Sequence, residues 1–108
     1  MPVYNKLVRD YIPQVIEKTG KKSSTRILST EEYQIELNKK LGEELAEYIE
    51  AKTNEEAVEE LADILELVHA AAKMHGATIE QLEEVRRAKA EKRGGFEQRI
   101  FLIDVEDD

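Results

Sequence analysis

The chain has 108 residues, 37% of them charged, with Asp+Glu 24 against Lys+Arg 16 for a net charge of −8. This is enough for a single domain, residues 1–108, and its acidity argues against a nucleic-acid polymer as partner. The absence of cysteine excludes disulfides, zinc–thiolate sites and thiol catalysis, and with no long apolar run or signal-like core the expectation is a cytoplasmic protein without membrane contact.

The opening segment Tyr4-Asn5-Lys6-Leu7-Val8-Arg9-Asp10 mixes apolar and charged residues, which predicts extended or irregular backbone. A short helix is predicted from about Asp10 to Thr19, capped by Asp10, with Pro13 in its first turn and Gly20 as its stop. Thr25-Arg26-Ile27-Leu28 reads as a short strand. Ser29-Thr30-Glu31-Glu32 forms a capping box that opens a long helix to about Lys52. Asn54 is the expected cap of the next helix, from about Glu55 to His75, which Gly76 ends. Thr78-Ile79-Glu80-Gln81 is a second capping box, for a third long helix to about Arg93, after which Gly94-Gly95 breaks the chain. The tail from Phe96 to Val105 holds the apolar cluster Ile100-Phe101-Leu102-Ile103 and suits a strand or an arm paired with the Thr25–Leu28 segment. The expected fold is all-α: a helical bundle of about four helices, three of them long, with short extended terminal segments. A chain this small gains buried apolar area by associating, so a homodimer or higher homo-oligomer is expected, with Ile100, Phe101 and Ile103 as a dimer arm.

Two of the predicted helices break the amphipathic rule in the same way. In the first long helix Leu37, Leu41, Leu45 and Tyr48 form the apolar stripe, Glu44 falls near its middle, Glu47 and Lys40 lie just beside it, and Glu43 sits further round. In the next helix the stripe is Ala57, Leu61, Ile64, Val68 and Ala71, with Glu60 inside its edge and Asp63 flanking it. Acids are seldom buried unless paired or bound to a cation, and antiparallel packing would gather Glu44, Glu47, Glu60 and Asp63 into one cluster. Ion pairs with Lys40, Arg86 or Lys89 account for any one of these acids more easily than for all four. Oxygen-only donors at this density suit a hard cation, magnesium or manganese, over zinc or copper. On the third long helix Arg86, Lys89 and Arg93 continue along or beside the face set by Ile79, Leu82 and Val85, with Lys92 at one edge, so inward cations are expected there. Arg93-Gly94-Gly95 also offers backbone N–H groups to an anion.

The acidic pattern Glu43-Glu44-Leu45-Ala46-Glu47, twelve intervening residues, then Glu60-Leu61-Ala62-Asp63 resembles the hallmark of the MazG-like, all-α nucleoside triphosphate pyrophosphohydrolases. Tyr4-Asn5-Lys6-Leu7-Val8-Arg9-Asp10 and Lys92-Arg93-Gly94-Gly95-Phe96 look like the short subgroup labelled phosphoribosyl-ATP pyrophosphohydrolase-like, or predicted house-cleaning pyrophosphatases. That resemblance implies Mg2+, with Mn2+ as substitute, on Glu44, Glu47, Glu60 and Asp63. It implies a nucleoside triphosphate or related polyphosphate substrate, cut between the α- and β-phosphates. It further implies that Glu43 or a ligand such as Glu44 activates water, that Lys40, Lys89, Lys92 and Arg93 neutralise the polyphosphate, and that Asn5, Lys6 and Arg9 close over base or phosphate. The histidine-pathway enzymes carry a Tyr-His pair soon after the second acidic motif; Ile64-Leu65-Glu66-Leu67-Val68 stands there instead. The alternatives are a phosphoribosyl-ATP pyrophosphohydrolase of histidine biosynthesis and an acidic helical interaction module without catalysis.

Overall fold

The computed structural model describes residues 2–107 and contains four helices: α1 (Ile12–Glu17), α2 (Thr30–Glu50), α3 (Asn54–Met74) and α4 (Ile79–Arg93). The all-α expectation is met. Both predicted capping boxes are present: the Ser29 hydroxyl accepts from the Glu32 N–H while the Glu32 carboxylate accepts from the Ser29 N–H, and Thr78 and Gln81 repeat the arrangement. The close of α3 is equally local. Gly76 adopts φ +82°, and the Gly76 and Ala77 N–H groups donate to the Lys73 and Ala72 carbonyls, so the chain leaves the helix in a left-handed turn that a Cβ would strain.

Several boundaries differ from expectation. Asp10 does not cap α1; the cap position is Tyr11, with no side-chain bond. The two donors nearest Asp10 are unusable, since the Ile12 N–H is committed to the Arg9 carbonyl and Pro13 has none. On α3 the cap is Thr53 rather than Asn54. Its hydroxyl accepts from the Glu56 N–H, and this register lets the Glu56 carboxylate reach back to the Lys52 N–H, which Ala57 could not do for an Asn54 cap. The helix α2 stops at Glu50, short of Lys52. Neither Thr25–Leu28 nor the tail is a strand, and no strand occurs among the described residues. Two short segments far apart in sequence form at best one isolated ladder, which is marginal in water without a third strand or a covering helix.

A three-residue turn, Ala51 to Thr53, folds α2 back along α3, and this hairpin is the centre of the molecule. Its seam is built from Tyr33, Leu37, Lys40, Leu41 and Glu44 of α2 against Ala57, Glu60, Ile64, Leu67, Val68 and Ala71 of α3, all buried or half-buried. Leu45, Tyr48 and Leu61, expected in the apolar stripes, are instead open to solvent, because the buried face is rotated toward Lys40 and Glu44. Packing of α4 on α3 is slighter. From Val85 onward it offers only Val85, Ala88 and Ala90 as apolar side chains, too little to draw it against a neighbour. Leu37 is the one fully buried apolar side chain among the described residues.

So thin a core leaves an open shape. The radius of gyration is 18.6 Å, where a compact domain of this length has about 13 Å. The accessible surface is 10314 Å², against about 6,100 Å² for a compact monomer of this mass. Much of the surplus is apolar: Leu45, Tyr48 and Ile49 on α2, Val58, Leu61 and Leu65 on α3, and Phe96, Ile100, Phe101, Leu102 and Ile103 in the tail are all exposed. No helix is long and apolar enough to cross a membrane.

Candidate active site

Antiparallel geometry about the short turn decides which acids meet. Glu44 lies seven residues before Ala51 and Glu60 seven residues after Thr53, so the hairpin sets them at the same level. Glu47 is one turn from Glu44 on the same helix. Carboxylate oxygens of Glu44, Glu47 and Glu60 lie within 4.8 Å of one another, with Glu44 buried, Glu60 half-buried and Glu47 exposed. Glu44 Oε1 sits 3.7 Å from Lys40 Nζ, the one cation paired with this trio among the described residues. Glu44 Oε2 and Glu60 Oε2 are buried without any hydrogen-bond partner. Two buried, unpartnered carboxylate oxygens within one acidic cluster are costly unless a proton or a cation compensates them. The donor set is all oxygen, which fits a hard divalent cation.

Asp63, the fourth expected ligand, stands apart from the trio. Its Oδ1 accepts a 2.6 Å hydrogen bond from Arg9 Nη2, which ties the N-terminal segment to α3. That segment also lies along α2. Tyr4, Asn5, Lys6 and Leu7 line a cavity of about 130 Å³ together with Glu36, Lys39, Lys40 and Glu43. Lys40 belongs to both places, so the cavity opens beside the acidic trio. Asn5, Lys6, Arg9, Lys40 and Glu43 are thus brought together around the acids. Lys89, Lys92 and Arg93 are not: all three are exposed on α4, and Arg86, also expected inward, pairs with Glu83 on its own helix. Their inward orientation is corrected by the weak packing of α4. Glu36 and Lys39 were missed as cavity residues. For Glu36 a signal existed, since Glu36, Lys40 and Glu44 repeat every four residues along one face of α2.

Crowding of like charges perturbs one member strongly. Glu60 is pushed up to about 7, chiefly because a proton on it can be shared with Glu44, and further by its desolvation and by the charges of Glu47 and Glu44. Glu32 goes the other way, to about 2, held ionised by the Arg26 guanidinium and the Ser29 N–H. The consequences for stability have opposite sign. Between about pH 4.5 and 7 the native chain keeps a proton at Glu60 that the unfolded chain has lost, so this group lowers stability as pH rises through that window. Glu32 contributes stability above its unfolded value, lost only as pH falls below about 4.5. In chelator-treated protein, the thermal midpoint of Glu60→Gln relative to wild type is therefore expected to rise steadily from pH 5 to pH 7.5. A flat difference across that range would remove the strain assigned to the trio.

The acidic hairpin thus offers an all-oxygen donor set for a hard cation beside a lysine-lined cavity that suits an anion. Comparison with known proteins gives the family. The phosphoribosyl-ATP pyrophosphohydrolase family matches residues 8–93, and the chain belongs to that family. An uncharacterized protein of Mycolicibacterium smegmatis is 45% identical over 53 residues, 49% of this chain and 54% of that protein. The match thus spans about half the length of that relative. No solved structure matches the chain.

Proposed function

We propose that the chain is a cytoplasmic, Mg2+-dependent nucleoside triphosphate pyrophosphohydrolase. It would cut between the α- and β-phosphates, release a nucleoside monophosphate and pyrophosphate, and clear non-canonical nucleotides. The single observation that carries this is Glu44, only 8% exposed with Oε2 unpartnered, in one cluster with Glu60, whose Oε2 is also buried and unpartnered. Glu44, Glu47 and Glu60 would hold the cation, Mg2+ or Mn2+ in its place, with Asp63 completing the set, and the cation would supply Lewis-acid stabilisation of the phosphate charge. Glu43 lines the adjoining cavity and takes the proton of the attacking water, a task that Glu44 shares through the trio. Lys40, with Lys6 and Lys39 of the same cavity lining, neutralises the polyphosphate, and Asn5 contacts base or phosphate. Lys89, Lys92 and Arg93 reach the leaving pyrophosphate if α4 closes or a second copy supplies them. The exposed apolar rows of α2 and α3 support association of two copies as a homodimer.

Phosphoribosyl-ATP is the second candidate substrate, favoured by the family match and disfavoured by the lack of a Tyr-His pair in Ile64-Leu65-Glu66-Leu67-Val68. The test is pyrophosphate release, with and without Mg2+, across canonical and modified nucleoside triphosphates and phosphoribosyl-ATP. Metal-dependent release with a monophosphate product is expected, fastest on a modified nucleotide. Preference for phosphoribosyl-ATP would reassign the substrate. No turnover and no Mg2+ binding would leave an acidic interaction module.

A further inference from the structure

Asp63 lies one helical turn from Glu60, yet its carboxylate is engaged by Arg9 rather than by the trio. Arg9 comes from a segment without helix or strand, whose residues Tyr4 to Leu7 line the cavity along α2. The segment therefore bridges the hairpin, resting on α2 at one end and tied to α3 by one guanidinium. Asn5, at φ +45°, supplies the bend in it, in the left-handed region that asparagine tolerates better than most residues.

We propose that Arg9 is an internal counter-ion and positioning residue of the acidic site. It neutralises Asp63 in the metal-free protein, yields Asp63 when a divalent cation binds, and then turns to the polyphosphate in the cavity. The proposal rests on the metal-dependent function above and adds an order of events to it. The pair is exposed on both sides, 57% at Arg9 and 42% at Asp63, so it is solvent-screened and weak. A divalent ion gathered by three further carboxylates outcompetes a single guanidinium for such a group. The released guanidinium has a planar fork that fits phosphate oxygens as well as a carboxylate, and its segment already borders the cavity. Lys40 behaves differently: it is half-buried on a regular helix beside Glu44 and stays in place.

The test is calorimetric titration of Mn2+, without nucleotide, into the full chain as wild type, Arg9→Gln and Arg9→Lys, followed by inorganic pyrophosphate into each Mn2+-loaded protein. Arg9→Gln is expected to bind Mn2+ about 1.5- to 5-fold more tightly than wild type, and Arg9→Lys close to the wild-type value. With Mn2+ bound, Arg9→Gln is expected to bind pyrophosphate about 5-fold or more weakly than wild type. A Mn2+ affinity unchanged or weakened by Arg9→Gln overturns the proposal, and so does a pyrophosphate affinity that Arg9→Gln leaves unaltered. If none of the three proteins binds Mn2+, the metal-dependent function falls with it; binding without an effect of Arg9 removes the counter-ion role alone.

Discussion

Glu44→Gln is expected to lower metal-dependent pyrophosphate release by about a thousandfold or more while leaving the helical content unchanged. The substitution keeps the volume of a side chain that is 8% exposed, so the hairpin seam is not opened. It removes a charge from the trio and places an amide among carboxylates whose buried oxygens have no partner. Loss of a ligand on which a cation is held sacrifices several kcal/mol of transition-state charge stabilisation, and about 4 kcal/mol is a thousandfold in rate. The same change relieves repulsion within Glu44, Glu47 and Glu60, so the metal-free thermal midpoint should hold or rise. Circular dichroism, melting with chelator and pyrophosphate release together separate the two effects. An active variant would sink the site assignment, whereas an inactive one that has also lost helix would make Glu44 a structural residue.

Which parts of this were legible in advance follows from how local their causes are. The capping boxes at Ser29–Glu32 and Thr78–Gln81 need only residues three apart, and both form as expected. The meeting of Glu44, Glu47 and Glu60 needs one further fact, the short turn at Ala51 to Thr53, which sets the antiparallel register. The Thr53 cap was displaced by one residue because two capping residues adjoin and only the reach of Glu56 decides between them. Arg9 on Asp63 was beyond local reasoning. The contact spans 54 residues and depends on the path of a segment with no periodicity to read. The inward turn expected of the α4 cations is absent for the opposite reason. Their spacing on the helix was right, but whether a helix face turns inward depends on how strongly it packs, and α4 has few apolar side chains to pack with. The strands failed because pairing needs a partner that no short motif announces.

Leu37→Ala is expected to lower the free energy of unfolding by about 2–5 kcal/mol, a large share of the roughly 5–15 kcal/mol that holds a domain. Leu37 is 1% exposed, at the α2–α3 seam one turn before Leu41, and no other apolar side chain among the described residues is buried to compensate for a cavity there. Leu61 provides the contrast. Within one chain it is 46% exposed, so Leu61→Ala should cost well under the Leu37 change if the protein works as a monomer. Association would alter that ranking: a second copy covering Leu61, Leu65 and Leu45 turns a surface leucine into a buried one. Urea unfolding of both variants at two protein concentrations, tenfold apart, distinguishes the cases. A Leu37→Ala penalty independent of concentration, beside a Leu61→Ala penalty that approaches it and a midpoint that rises with concentration, would mean that the hairpin completes its core across two chains. Equal midpoints at both concentrations and a small Leu61 effect would mean that the exposed rows serve something other than a second copy. A Leu37→Ala cost near zero would show that the seam is not where the stability of this hairpin resides.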